Sequence, residues 1–302
     1  MCWFYHTIKY FVLKIDYNFI TMIKGVLIQC KQAEAKNGSQ YCTLKIKTDS
    51  GEVAVNVWQS TSKQFKLFKV VTINGEKSND QGISCTIGNI TFSELTKEYS
   101  HLVPVPPTRE EWSKFINSLV LDMPADQAKF FLDQAEKVYE PYSKMPAAKA
   151  NHHVYPGGLL DHTYQLLNMF KHIKKALPFK VNPFIVCISC LFHDYIKLAE
   201  YDPETYDYQP IMFLKGHVVG SAEVLGQIMR QANFDSTLIL HCQHAILAHH
   251  GCQEWGSPVL PATSEAFLVH HLDMLSGHGV MFDETPNNTK SWGLGTTVFH
   301  YE

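Results

Sequence analysis

Histidine is the residue type whose distribution in this chain first suggests chemistry. Thirteen of the sixteen histidines fall between residues 152 and 278. Each buried imidazole must find hydrogen-bond partners, so such clustering adds nothing to the stability of a helical region and instead indicates a site. The candidates occur in the short phrases LLDHT, LFHDYIK, KGHVVG, LAHHG and HHLDML, and they are His162, His193, Asp194, Lys197, His217, His249, His250 and Asp273.

These side chains have the composition of a metal site. Each phrase places its polar group on, or at the end of, an apolar helix, so the groups should converge inside a helical bundle. Imidazoles and carboxylates without thiolates suit Mn²⁺, Fe²⁺, Co²⁺, Ni²⁺ or Zn²⁺. Asp194 is the best bridging ligand, because a carboxylate can offer one oxygen to each of two cations. Lys197 follows one helical turn later, within reach of a phosphate, although an exposed lysine at a helix end is the simpler alternative.

The same phrases carry a family resemblance. His162, the pair His193 and Asp194, and Asp273 occur in the order typical of the HD phosphohydrolase superfamily. The longer phrases HHVYPGGLLDHT, HDYIKLAEYD, AILAHHGCQEWGSPVLPATSEAF and HHLDML resemble the YhaM-type 3′→5′ exoribonuclease family, which joins an N-terminal OB-fold to a C-terminal HD domain. The motif match spans roughly residues 150–280, whereas over 22–95 it depends on architecture alone.

The resemblance implies roles for individual residues. It implies a core cation held by His162, His193, Asp194 and Asp273. It also implies a second cation, bridged by Asp194 and held by His217, His249 and His250. Asp194 and Lys197 would then be the catalytic residues of a metal-dependent phosphodiesterase.

Two departures from the family pattern lie next to these ligands. Tyr195 and Ile196 fill the gap before Lys197, where family members commonly have a small residue. We expect them to reshape the substrate side of the metal. Asp161 stands where a glutamate is usual, which keeps the charge but shortens its reach.

Further polar residues flank the ligand phrases. His153 and Tyr155 precede the glycine pair that opens a helix and could contact substrate phosphate or sugar, or simply shape the loop. Asp161 and Glu265 are candidates to accept imidazole N–H groups, and His270 lies one turn from Asp273. The remaining histidines are predicted to be core, surface or supporting groups.

The N-terminal third has the pattern of a small β-barrel. Residues 22–95 alternate with period two over five short segments, which favours an OB-like fold. Residues 22–78 contain nine lysines and only four acidic residues, although the whole chain has a net charge of −3. This unit could therefore attract a polyanion.

Strand parity predicts the two faces of this barrel. Cys42, Leu44, Ile46, Val53, Val55 and Val57 should face the core. The outer face then carries Tyr41, Thr43, Lys45, Lys47, Asn56 and Trp58. Rings among lysines suit single-stranded nucleic acid, because bases stack on the rings while phosphates meet the ammonium groups. Alternatively, Trp58 caps the barrel end and the lysines form a solvated face.

The predicted organisation is multidomain α and β, a small OB-like β-barrel followed by an all-α HD-domain helical bundle. We predict an N-terminal extension over 1–21, an OB-fold over 22–97, a linker over 98–112, an HD domain over 113–280 and a tail over 281–302. Helices are expected at 108–121, 125–139, 158–177, 182–199, 214–233, 236–250 and 263–277. In the tail, VMFDE and TTVFHYE could pair as strands.

Composition limits the class of protein. With 45% hydrophobic and 18% charged residues the chain is too apolar to be disordered. Charged residues interrupt the apolar start, so we expect neither a membrane span nor a secretory signal. The eight cysteines lack the spacing of a disulfide scaffold, which favours a cytoplasmic location. Cys187 and Cys190 form a CxxC inside an apolar helix, where core packing is the simpler interpretation than zinc binding.

Together these patterns predict a metal-dependent 3′→5′ exonuclease acting on single-stranded RNA or DNA, with RNA favoured. One or two divalent ions are expected, with Mn²⁺ favoured over Co²⁺, Fe²⁺, Ni²⁺ or Zn²⁺. The sequence allows a homo-oligomer. A hydrolase of nucleotides or cyclic nucleotides is one alternative, although the HHG phrase lacks the GYP that marks cyclic-dinucleotide enzymes. A non-catalytic nucleic-acid-binding accessory protein is the other.

Overall fold

The computed structural model describes residues 22–74, 77–79, 82–149, 152–202 and 205–301, so the predicted extension over 1–21 lies outside the described residues. The chain divides into two compact units, one ending at Leu102 and the other beginning at Val103. Within the described ranges, no helix combines the length and apolarity needed to cross a bilayer.

The first unit is a curled β-sheet. Its strands are β1 (Met22–Glu34), β2 (Gln40–Thr48), β3 (Gly51–Trp58), β4 (Val70–Asn74), β5 (Lys77–Asn79), β6 (Gly82–Thr86) and β7 (Ile90–Ser93). They form a seven-stranded sheet in the order β5-β6-β3-β2-β1-β4-β7. The pairing of β3 with β6 is parallel and the other pairings are antiparallel.

The curl follows from one short connection. The last of the five predicted strand segments, ISCTIGNITF, is broken into β6 and β7. These two strands are joined by the single turn Ile87–Asn89 but lie five strand spacings apart in the sheet. In a flat sheet that separation would be about 24 Å, whereas three residues span at most about 10 Å. The sheet must therefore bend round until its two sides approach, as in an OB-like barrel.

The core of this unit confirms the predicted inner face. Cys42, Leu44 and Ile46 on β2 are fully buried, as are Val55 and Val57 on β3. Val53 packs against the same cluster while partly exposed. The alternating residues of β2 and β3 point away from this core, because side chains on a strand alternate between faces.

The second unit is helical. Its helices are α1 (Arg109–Leu119), α2 (Ala125–Tyr142), α3 (Gly158–Ile173), α4 (Pro183–Phe192), α5 (Lys197–Glu200), α6 (Pro210–Leu214), α7 (His217–Gln231), α8 (Ser236–Leu247) and α9 (Ser264–Glu284). Capping residues set several of the starts. Thr108 and Glu111 form a capping box before α1, and the side chains of Asn182, Asp235 and Thr263 accept backbone N–H groups at the starts of α4, α8 and α9.

The structure corrects several predicted boundaries. The helix predicted over 182–199 ends at Phe192 and resumes only at Lys197. The last helix continues to Glu284, so VMFDE is helical and its predicted pairing with TTVFHYE is wrong. A hairpin does occur in the tail, but it joins β8 (Thr289–Ser291) to β9 (Thr296–Val298).

Candidate metal centre

Asp194 lies at the centre of the second unit, and the local fold explains how it reaches that place. Every residue of α4 from Phe184 to Phe192 is buried, so the helix runs through the core. In a continuous helix, His193 and Asp194 would point about 100° apart. The helix instead ends at Phe192, and the turn that follows lets both side chains point towards the same group of histidines and carboxylates. Both side chains are as buried as the helix before them.

A first group of ligands faces one oxygen of Asp194. His162 comes from α3 and Asp273 from α9, and the His162 Nε2 atom lies 3.1 Å from His193 Nε2 and 3.0 Å from Asp273 Oδ1. His193 Nε2 is 3.3 Å from Asp194 Oδ2. His162, His193 and Asp273 thus present ligand atoms within 4.8 Å of one another.

A second group faces the other oxygen. His217 opens α7, while His249 and His250 follow the end of α8. His217 Nε2 lies 3.5 Å from Asp194 Oδ1 and 3.3 Å from His250 Nε2. Asp194 Oδ1 is buried and has no hydrogen-bond partner among the described residues. The two oxygens of Asp194 therefore face two separate sets of imidazoles.

Backbone carbonyls fix the tautomer of three of these rings. The Nδ1 atoms of His193, His249 and His250 lie 2.9, 2.6 and 2.8 Å from the carbonyl oxygens of Cys190, Ile246 and Trp255. A carbonyl oxygen can only accept a hydrogen bond, so each Nδ1 must carry the proton. Each ring thereby directs the lone pair of Nε2 towards the centre, as a metal-ligating histidine requires.

Ser276 fixes the tautomer of His162 in the same way. The Ser276 hydroxyl donates to Gln165 Oε1 at 2.8 Å, and its oxygen lies 2.9 Å from His162 Nδ1. Because the hydroxyl proton is already engaged with Gln165, the oxygen accepts the Nδ1–H of His162. The Nε2 of His162 then also faces the centre with a lone pair.

The residues fit divalent cations. Two imidazole nitrogens bound to one cation at about 2.1 Å lie about 3.0–3.4 Å apart. The observed Nε2 separations are 3.1 Å for His162 with His193 and 3.3 Å for His217 with His250. A bound cation would also satisfy the buried Asp194 Oδ1, which otherwise lacks a partner among the described residues.

The electrostatics keep the two carboxylates ionised. Burial raises the pKa of Asp194, but His193 and Lys197 outweigh it and hold this pKa well below its usual range. Burial likewise raises the pKa of Asp273, but the hydrogen bond and charge of His162 outweigh burial and leave this pKa lowered. Burial lowers the pKa of His193, yet Asp194 and Asp273 reverse this and leave it raised.

The residues that follow Asp194 have separate tasks. The Lys197 ammonium lies 2.7 Å from Asp194 Oδ2 and is largely buried, so it is not a solvated helix-end lysine. Ile196 packs beneath Gly220 of α7, where a Cβ would come within 2.8 Å of Ile196 Cγ1, and its N–H donates to Ser221. Tyr195 stacks on Phe192 with ring centroids 5.2 Å apart. The Tyr195 ring also lies 6.3 Å from the ring of Tyr142 at the end of α2. Tyr195 and Ile196 therefore pack neighbouring helices together, a role that the departure from the family pattern did not suggest.

The HHVY loop places two more histidines against the first group. The rings of His152 and His153 lie 5.2 and 5.3 Å from the ring of His162. His153 is buried in a left-handed backbone conformation with φ of 50°, which is strained for a residue with a Cβ. Burial, with a smaller effect of His162, lowers the pKa of His153 to about 3 and that of His152 to about 2.

Tyr155 makes a contact that agrees with the second of its two predicted roles, shaping the loop. Its hydroxyl donates to Asp161 Oδ2 at 2.5 Å and its side chain is 8% exposed. This contact joins the loop to the first turn of α3, the helix that carries His162. The hydroxyl of Tyr155 is thus engaged within the fold.

The supporting groups differ from those the sequence suggested. Asp161 bonds Tyr155, and Glu265 accepts the backbone N–H of Asn182 at 2.7 Å, so neither bond goes to an imidazole. His270 Nδ1 instead lies 2.7 Å from the carbonyl of His249 and supports the His-His turn. Sequence reasoning missed Ser276 and Glu200, although the spacing of Ser276, one turn after Asp273 on α9, could have revealed it.

The first unit carries the predicted aromatic pair. Tyr41 and Trp58 are directly paired across β2 and β3, with ring centroids 4.9 Å apart and planes at 34°. Trp58 is 37% exposed. Lys45 Nζ lies 2.6 Å from Glu52, and Lys47 is the cross-strand neighbour of Glu52. We call the strip formed by Tyr41, Trp58, Lys45 and Lys47 the aromatic–lysine strip.

Residues 159–277 match the HD domain family. The match contains every residue of both ligand groups, from His162 to Asp273. A match to the HD domain implies a metal-dependent phosphohydrolase.

A solved structure is similar to the first part of the chain. It is the solution structure of the second OB-fold domain of replication protein A from Methanococcus maripaludis, which is 20% identical, with 25% of this chain and 84% of that chain covered and a TM-score of 0.20. The strand order and the broken β6–β7 strand, rather than this superposition, support the OB-like description of the first unit.

Proposed function

We propose that the protein is a metal-dependent 3′→5′ exonuclease of single-stranded nucleic acid, with RNA favoured over DNA. The observation that carries the proposal is the position of Asp194, whose two oxygens face two groups of imidazoles inside an HD domain. The aromatic–lysine strip supports a single-stranded polyanion as substrate, since it joins stacking rings to ammonium groups. The preference for RNA and for the 3′ end comes from the resemblance of the ligand phrases to exoribonucleases.

The residues divide the work of phosphodiester hydrolysis. His162, His193, Asp194 and Asp273 would hold one divalent cation, and Asp194, His217, His249 and His250 a second. Such cations polarise a phosphate and lower the pKa of water. Lys197 lies 2.7 Å from Asp194 Oδ2 and would neutralise the charge of a phosphate bound at this centre.

His153 is the best candidate for a further substrate contact. Its ring lies beside His162, and its Nε2 is buried without a hydrogen-bond partner among the described residues. With a pKa lowered to about 3 the ring is neutral near pH 7 and can donate one hydrogen bond to a phosphate or sugar oxygen. Tyr155 acts indirectly, because its hydroxyl is engaged with Asp161.

The test is the fate of a 5′-labelled single strand incubated with the protein and Mn²⁺. We expect stepwise shortening from the 3′ end, and Asp194→Asn should abolish it while strand binding is unchanged. Asp122→Asn is the matched control, because Asp122 is an exposed acid that pairs with Lys174 away from the ligand groups. Absence of nuclease activity on RNA and DNA with all five candidate cations would overturn the proposal, and hydrolysis of cyclic or free nucleotides alone would replace it.

A further inference from the structure

Glu200 is a buried charged residue without an evident role in the fold. It ends the short helix α5 and its side chain is only 1% exposed. Its Oε2 atom lies 3.3 Å from His217 Nδ1, and its Oε1 atom is buried without a hydrogen-bond partner among the described residues. Removing a carboxylate from water costs several kcal/mol unless a partner compensates, so its position needs an explanation.

The backbone fixes Glu200 on both sides. Its N–H donates to the carbonyl of Ile196 at 3.0 Å, and its own carbonyl accepts the N–H of Gln209 at 2.8 Å, which closes the loop between α5 and α6. The start of α7 is held in turn by the close packing of Gly220 on Ile196. The contact between Glu200 and His217 therefore joins two segments that other contacts already hold at Ile196.

The ligand groups differ in charge. The first group contains Asp273 in addition to Asp194, whereas the second contains three imidazoles and only the shared Asp194. The second group therefore lacks a carboxylate of its own to balance a divalent cation. His217 is also the ring among the five whose Nδ1 faces a carboxylate rather than a carbonyl or hydroxyl oxygen.

We propose that Glu200 is a positioning residue for the second cation, which it serves by accepting the Nδ1–H of His217. This hydrogen bond presents the Nε2 lone pair of His217 towards Asp194 Oδ1. A carboxylate acceptor also makes the imidazole a stronger donor to a metal than a neutral acceptor does. Glu200 thereby supplies, through His217, the negative charge that the second group lacks. The inference rests on the proposed function, because it assumes that His217 is a ligand.

Cation binding provides the first test, with Co²⁺ as the probe because its absorption reports each bound ion. The wild-type protein should bind two Co²⁺ ions, and Glu200→Ala should weaken the second by about 10–100-fold while the first is unchanged. Glu200→Gln keeps an acceptor oxygen but removes the charge, so its affinity for the second Co²⁺ ion should lie between those of the wild type and Glu200→Ala. Glu265→Gln is the matched control, because Glu265 accepts a part-buried backbone N–H, that of Asn182, and not a ligand ring, and it should leave both ions bound as in the wild type.

The tautomer of His217 provides the second test, which does not depend on activity. In the metal-free protein, ¹⁵N NMR should show His217 protonated at Nδ1, and Glu200→Ala should shift it towards the Nε2-protonated form. His217→Asn identifies the signal. Glu200→Gln covers the case in which the alanine variant does not fold.

The outcomes separate the inference from the function it extends. If a folded Glu200→Ala or Glu200→Gln variant bound both Co²⁺ ions as tightly as the wild type does, the role of Glu200 would be overturned. Binding of only one ion by the wild-type protein would overturn it too. Two bound ions and the expected effect of Glu200 in a protein that cleaves no strand would instead support the positioning role and overturn the nuclease.

Discussion

At the residue scale, the orientation of each imidazole in the centre is set by the hydrogen bond that its Nδ1 atom makes. His193, His249 and His250 place Nδ1 on backbone carbonyls, and His162 places it on Ser276. The sequence predicted the imidazoles and carboxylates because their types and spacing stand out in apolar phrases. It could not predict their acceptors, since a carbonyl is present at every residue and carries no sequence signal.

Ser276→Ala tests this outer arrangement. The change leaves the Nδ1–H of His162 without its acceptor, so the affinity for the first cation should fall by about 10–100-fold while the second is unchanged. A Co²⁺ titration measures both. Ser257→Ala should change neither affinity, because the Ser257 hydroxyl bonds the carbonyls of Leu247 and Val259. Equal losses of both cations in Ser276→Ala would contradict the assignment.

The pH dependence of cation binding follows from His193. Its pKa is raised above the ordinary value of 6.5, so the folded, metal-free protein keeps a proton on this ring to a higher pH than a free histidine would. A cation must displace that proton, and the affinity of the first group should therefore rise as pH increases through 6.5 and above. Co²⁺ titrations between pH 5.5 and 8.5 measure this, and an affinity that is flat across that range would contradict it.

At the element scale, the decisive feature is the break between α4 and α5. The periodic pattern over 182–199 predicts one helix, and its buried part was predicted well because it is apolar throughout. The break was missed because residues 193–196 contain neither a proline nor a glycine to mark it. The packing of α7 on this turn was also hidden, since it depends on Gly220 meeting Ile196 across the bundle.

Gly220→Ala tests the contact between these elements. The new Cβ would lie 2.8 Å from Ile196 Cγ1, which forces α7 and His217 away from Asp194. We expect a loss of roughly 1–3 kcal/mol in the free energy of unfolding and weaker binding of the second cation. Denaturant unfolding and Co²⁺ titration measure the two effects.

Two further variants check the cause. Adding Ile196→Ala to Gly220→Ala opens space beneath the helix and should restore much of the second affinity. Gly279→Ala on α9 is the matched control, because a Cβ there meets no atom within 4 Å. If the double variant bound the second cation no better than Gly220→Ala alone, steric displacement of α7 would not be the explanation.

At the scale of the whole molecule, the chain joins a β-sheet unit that carries the aromatic–lysine strip to a helical unit that carries the two ligand groups. The composition shift from lysine-rich strands to histidine-rich helices predicted this division. Strand parity also predicted that Tyr41 and Trp58 share one face, because both residues lie on the regular hairpin of β2 and β3, and the structure pairs them directly. It could not predict that Lys45 pairs with Glu52, as both side chains are exposed and long.

Substrate length separates the tasks of the two units. Trp58→Ala should weaken the binding of a long single strand by roughly 5–150-fold, because one base loses about 1–3 kcal/mol of stacking. Removing Lys47 as well should reduce the slope of log affinity against log salt by about 0.7. Hydrolysis of bis(p-nitrophenyl) phosphate, which has no base to stack, should be unchanged. Equal losses on this small ester and on long strands would place Trp58 outside strand binding.

The connection between β6 and β7 has a consequence for how the first unit opens. The two strands are consecutive in the chain, yet one hydrogen-bonds to β3 and the other to β4. Only three residues connect the two strands, so neither strand can separate from its neighbour in the sheet without pulling the other strand with it. Amide hydrogen exchange across β3, β4, β6 and β7 should therefore report one shared opening event rather than progressive fraying from an edge.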